Sequence, residues 1–134
     1  MEDGGLMAAI RGFRELNVYQ LGREEARKIF VTTKRFPKEE RYSLTDQIRR
    51  SSRAVNAMLA EAWARRRYRA AFISKIDDAL GEAMETQAWL DHALDCEYVT
   101  EVEHRQLDGG WQSIGAMLRR MMDRADTFCT PSAD

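Results

Sequence analysis

Between Ser43 and Leu80 the chain contains neither glycine nor proline. Few folds accept so long a stretch without a breaker, and the residue pattern within it selects one. Leu44, Ile48, Ser51, Val55, Met58, Leu59, Ala62 and Trp63 recur at helical spacing and make one apolar face. Opposite them lie Asp46, Arg49, Arg50 and Arg53, then a row of Ala57, Ala60 and Ala64. Two starts fit this helix. Pro37 with Glu39 and Glu40 would suit a first turn. Ser43 to Asp46 reads equally as an N-terminal cap of the S/T-x-x-D type.

Three more stripes share this period. From Leu16 to Lys34, the residues Val18, Gly22, Ala26, Ile29, Phe30 and Thr33 fall together, and Phe36-Pro37 closes the segment. From Ala70 to Cys96, the stripe is Phe72, Ile76, Ala79, Leu80, Ala83, Gln87, Leu90 and Leu94. From Glu101 to Phe128, it is Leu107, Trp111, Ile114, Leu118, Met121, Met122 and Ala125. Gly109-Gly110 weaken the start of this last helix and could bend or fray it. Arg65–Arg69 is either a turn or a continuation of the helix before it. Alternating strand patterns are absent. The expected fold is all-α: one domain over 1–134, an antiparallel up-down-up-down four-helix bundle with short connections. A loose arm covers 1–13 and a tail covers 129–134. The expected core is Leu44, Ile48, Val55, Leu59, Phe72, Ile76, Leu80, Leu90, Leu94, Ile114 and Leu118.

Composition narrows the class. A hydrophobic share of 44% is too high for a disordered chain, and a charged share of 32% too high for a membrane protein. No apolar run approaches the ~18 residues of a membrane span. The first residues place acids ahead of a short apolar patch, the reverse of a secretory signal. A cytoplasmic location is expected, with Cys96 and Cys129 reduced.

A net charge of −1 conceals a division along the chain. Residues 34–69 hold 11 Lys/Arg against 4 Asp/Glu, whereas residues 70–134 hold 5 against 13. Either the basic helix packs beside acidic ones, or Arg49, Arg50, Arg53, Arg65, Arg66, Arg67 and Arg69 form a face for RNA or DNA. Trp89 and the Ala57, Ala60, Ala64 row lie off the core stripes. They are the candidate contacts of a homo-oligomer, although alanine is also simply a good helix former.

Chemistry finds little purchase. His92 and Cys96 share a helix face, with His104 as a remote third ligand, but a zinc site needs more. Asp77, Asp78, Glu82 and Glu85 lack the Glu-x-x-His partners of a di-metal bundle. Ser51 and Ser52 have no histidine to activate them. No glycine-rich phosphate loop occurs. No catalytic residue, metal, cofactor, membrane or small-molecule substrate is expected, and the chain reads as a non-enzyme.

The runs Phe13-Arg-Glu-Leu-Asn-Val-Tyr-Gln20 and Phe36-Pro-Lys-Glu-Glu-Arg-Tyr-Ser-Leu-Thr-Asp-Gln-Ile-Arg-Arg50 resemble the four-helix bundle proteins encoded in intervening sequences of bacterial 23S ribosomal RNA genes. Ala60-Glu-Ala-Trp63, Arg66-Arg-Tyr68 and Glu85-Thr-Gln87 extend the likeness, which spans Phe13 to Phe128. The resemblance implies a homopentameric ring without established enzymatic activity. It also implies kinship with a basic pentamer, the accessory protein of diversity-generating retroelements, which binds nucleic acid and a reverse transcriptase. Where the family commonly reads Ala-Asn-Ile-Ala-Glu, this chain has Ala57-Met58-Leu59-Ala60-Glu61, with an asparagine at Asn56 instead. Residue 58 edges the core stripe and residue 56 falls well off it.

Overall fold

The structure, a computed structural model, describes residues 10–130. Four long helices carry the fold: α1 (Asn17–Thr33), α2 (Leu44–Ala64), α3 (Arg69–Asp95) and α4 (Glu101–Asp123). A one-turn helix, α5 (Ala125–Phe128), follows. Among the described residues there is no strand. Contacts between neighbours run in opposite order along the two partners. Arg50 meets Glu85 while Glu61 meets Lys75 across α2 and α3. Gln87 meets Asp108 while Asp91 meets His104 across α3 and α4. Thr33 meets Arg49 while Tyr19 meets Asn56 across α1 and α2. Sequential helices are therefore antiparallel, and α1 packs against α4 to close the bundle.

The main core joins Ile29, Ile48, Val55, Leu59, Phe72, Ile76, Leu90, Trp111, Ile114 and Leu118. A second, smaller cluster of Phe36, Leu44, Ala93 and Val99 plugs the end where α2 begins. Leu80 and Leu94 are only half-buried, contrary to expectation. The buried positions of α3 are Phe72, Ile76, Ala79, Ala83, Thr86, Leu90 and Ala93. Their spacing is a strict seven-residue repeat, not 3.6. A 3.6-period stripe drifts ~20° per heptad from such a repeat. By the end of α3 the seam has moved from Gln87 and Leu94 to Thr86 and Ala93.

Local signals explain the boundaries, with corrections. Ser43 does not cap α2 by its side chain. Its hydroxyl donates to Glu40 Oε1 at 2.6 Å, and the same carboxylate oxygen accepts from the Leu44 amide at 3.3 Å. Glu40 lies in a separate 3-10 turn (Lys38–Glu40), so the helix starts where the second reading put it, with Ser43 at the N-cap position and Leu44 first, but without the side-chain bonds of a capping box. Residues 65–68 do break the helix. Residues Ala93 to Tyr98 end α3 with paired backbone bonds, Tyr98 N to Ala93 O and Glu97 N to Leu94 O, both 2.9 Å. Glu97 takes the left-handed position with φ 61. Thr100 and Glu103 form a reciprocal capping box on α4.

Helix α4 is continuous through Gly109 and Gly110, which neither interrupt nor fray it. It stops at Asp123 and not at Phe128, and α5 folds back so that Phe128 stacks on Phe72. The arm and tail are not wholly loose. Ile10 and Phe13 pack on the core, as does Cys129, and the Thr130 amide donates to Arg66 O at 3.1 Å. Residues 1–9 of that arm and 131–134 of that tail lie outside the described residues.

Candidate functional site

The seven arginines singled out by charge do not form one patch. Arg50 is spent on α3: it pairs with Glu85 at 2.6 Å and Glu82 at 3.6 Å. Arg69 is spent on Asp126 at 2.6 Å. Here the basic helix does pack beside an acidic one. Arg66 stacks on the Trp63 ring at 3.8 Å and donates to Trp63 O. Arg67 lies 5.9 Å from the Tyr68 ring, and Arg65 is exposed. These last residues occupy the α2–α3 turn. Helix α2 separates them from Arg49 and Arg53 by about three to five turns.

Arg49 and Arg53 meet something the charge count did not reveal. Both lie over Phe30 of α1, at 4.7 and 5.6 Å from the ring centre, and Lys34 joins them at 4.9 Å. Among the described residues none of the three has a carboxylate partner. Arg49 Nε donates to Thr33 Oγ1 at 2.8 Å, and that hydroxyl in turn donates to Ile29 O at 2.8 Å. Sequence reading missed Phe30, Thr33 and Lys34 here. The available signal was the i, i+4 spacing of Phe30 with Lys34 and of Arg49 with Arg53.

The expected subunit contacts fare differently from one another. Ala57 and Ala64 are exposed on the outer side of α2, and Ala60 is half-buried. Trp89 is not simply an outward residue. It packs against both apolar clusters and donates from Nε1 to Glu85 Oε2 at 3.2 Å. Asn56 is off the α2–α3 seam yet faces α1: its Nδ2 donates to Tyr19 O at 3.1 Å. Met58 packs at the edge of the core.

The end of the bundle near Glu40 is held by carboxylates. Tyr98 donates to Glu40 Oε2 at 2.8 Å. Bonds from the Ser43 and Tyr98 hydroxyls hold the Glu40 carboxyl below its ordinary range, and the same bond pushes Tyr98 up to about 12. Glu103 is likewise lowered, first by the Thr100 amide and then by Arg35. Tied into structure in this way, these carboxylates serve as clasps between connections. The thiol of Cys129 is pushed up by burial, away from reactivity.

The 23S rRNA-intervening sequence protein family profile matches residues 14–120. The chain belongs to that family. A crystal structure from Bacteroides thetaiotaomicron, described as a protein of unknown function from the S23 ribosomal protein family, shares its architecture with a TM-score of 0.72. The two are 29% identical, over 79% of this chain and 95% of the other. No curated protein matches the sequence. Within the matched residues, Phe36 and Leu44 plug one end of the bundle, and Glu40 fastens it. Neither this family nor the solved relative is tied to a known enzymatic activity. Among the described residues no group of three His, Cys, Asp or Glu is placed to hold a metal. His104 instead bonds Asp91 at 2.8 Å, and His92 lies against Trp89. No helix among the described residues is long and apolar enough to cross a membrane.

Proposed function

We propose that this protein is a non-enzymatic interaction module that acts in the cytoplasm by assembling with copies of itself. The observation that supports this is surplus uncovered surface. Ala57 and Ala64 face outward from α2, while Met84 of α3 and Val102 of α4 remain 53% and 54% exposed. The division of charge adds a means of joining, since a basic region on one copy can meet an acidic one on the next. Head-to-tail contacts of that kind close into rings, and the family resemblance gives five as the expected number. Light scattering at micromolar concentration tests this: a mass near 15.5 kDa would defeat assembly, and a dimer would defeat the cyclic form. The diagnostic variant is Ala57→Glu with Ala64→Glu, expected to dissociate the assembly with the bundle intact. Trp89→Glu serves poorly, because Trp89 also packs inside the molecule.

A second reading is favoured by a specific feature. Arg49, Arg53, Arg65 and Arg67 keep their charges uncompensated, which suits the phosphates of RNA or DNA. Steep loss of affinity with salt is the expected behaviour. An absence of RNA binding at low salt would remove this reading and leave the assembly module standing.

A further inference from the structure

We propose that Phe30, Lys34, Arg49 and Arg53 form a preorganised site for a phosphodiester group of a single nucleic-acid strand. This inference rests on the nucleic-acid reading and locates its site. Three cations converge on one ring, at 4.7, 4.9 and 5.6 Å, with no carboxylate among them. Like charges gathered this closely repel one another. Attraction to the ring face offsets part of that cost, and an anion would offset the rest. Four other cations are already neutralised: Arg35 by Glu103, Arg50 by Glu85, Arg69 by Asp126 and Lys75 by Glu61.

Arg49, the nearest cation to the ring, is also held in place. Thr33 is 3% exposed, and its hydroxyl accepts from Arg49 Nε while donating to the backbone of α1. That bond uses Nε only, leaving the terminal guanidinium nitrogens for a bidentate contact with phosphate oxygens. Lys34 supplies a point charge one helical turn beyond Phe30, and Arg53 a second fork one turn beyond Arg49. Arg65 and Arg67 lack an equivalent support, since the structure gives neither a side-chain hydrogen bond. Thr33 is thus a positioning residue, while Lys34, Arg49 and Arg53 are the ligand-touching ones.

The test is fluorescence anisotropy of a labelled single-stranded RNA of about 20 nucleotides, at about 50 and about 200 mM salt. Lys34→Ala with Arg53→Ala should weaken binding by about tenfold or more and lower the salt slope by about two. Thr33→Val should weaken it by roughly threefold with the slope unchanged, because the charge count is the same. Circular dichroism confirms that each variant folds. Retention of wild-type affinity by Lys34→Ala/Arg53→Ala, with loss in Arg65→Ala/Arg67→Ala, overturns this site and leaves the broader reading intact. If the wild-type protein does not bind the RNA at about 50 mM salt, both fall. A Thr33→Val variant indistinguishable from wild type overturns the preorganisation of Arg49.

Discussion

Helices α2 and α3 meet through large apolar side chains; α1 adds to its Val18 and Ile29 two contacts made at a glycine. Ile48, Val55 and Leu59 interlock with Phe72, Ile76 and Leu90, and the buried polar contact between the two helices is Ser51 with Thr86 at 2.8 Å. On α1, a Cβ at Gly22 would overlap the side chain of Asn56. On α4, a Cβ at Gly110 would overlap the carboxyl of Glu25, which is 3% exposed and paired with Lys28 at 2.8 Å. The α1 seams thus trade apolar volume for close approach and seat polar groups on the glycines. Glu25 Oε1 and Asn56 Oδ1 are left there without hydrogen-bond partners. Burying a polar group unpaired is costly, so α1 should be the less firmly held helix.

The largest expected effect lies in the apolar seam. Leu59→Ala should cost roughly 2–5 kcal/mol in urea unfolding. Leu80→Ala should cost less, because Leu80 is half-buried and its loss opens a smaller cavity. A cost for Leu80→Ala equal to that of Leu59→Ala would undo the seven-residue phasing of α3.

The neighbouring glycines of α4 sharpen the contrast next. Gly109 has open space around its Cβ position, so Gly109→Ala should stabilise by up to about 1 kcal/mol through helix propensity. Gly110→Ala has the same propensity gain but must displace buried Glu25, and should destabilise by about 1–3 kcal/mol. Adding Glu25→Ala to Gly110→Ala should recover much of that loss by making room. Equal effects at the two glycines would show that α1 does not approach α4 as closely as described.

Between the helices of the apolar seam, Ser51→Ala alone should cost about 1 kcal/mol, because Thr86 loses the Ser51 bond but keeps the one its hydroxyl donates to Glu82 O at 2.9 Å. Joined with Thr86→Val, the change should approach neutrality, and a double-mutant cycle measures the difference. At the α3 terminus, Glu97→Gly should stabilise by up to about 1 kcal/mol, since the left-handed backbone disfavours a side chain.

The smallest expected effect is the pH dependence of the clasp beside α1. The folded state lowers the Glu40 pKa, so its contribution is present above the ordinary carboxylate range and is lost as pH falls through the lowered value. Tyr98 is raised from 10.0 to about 12, so its contribution is present below pH 10.0 and is lost as pH rises towards about 12. Denaturation midpoints across pH should flatten at the acid end in Glu40→Gln and at the alkaline end in Tyr98→Phe.

Legibility followed the same division. The α2–α3 core could be read because Ile48, Val55, Leu59, Phe72 and Ile76 repeat with the helix and bury as they repeat. Phasing failed late in α3, where a 3.6 period and a seven-residue seam diverge, so Trp89 read as more outward than it is. Asn56 and Gly110 were misjudged because a polar residue and a helix breaker carry no core signal on their own. Only their partners, Gly22 and Glu25, give them meaning. The candidate site was half legible: Arg49 and Arg53 stood out by charge, but the aromatic and hydroxyl that hold them come from α1.

The sequence by itself determined the all-helical class, approximate helix lengths and most of the inward face, because these follow from local periodicity and from breakers such as Phe36-Pro37. Tertiary structure decided which glycines admit a neighbour, which arginines are neutralised, and which cations share a ring. Those outcomes depend on pairs such as Phe30 with Arg49, or Glu25 with Gly110, that are remote along the chain. Pair energies act through distance in space, and a single strand of residues does not encode that distance until its helices have packed.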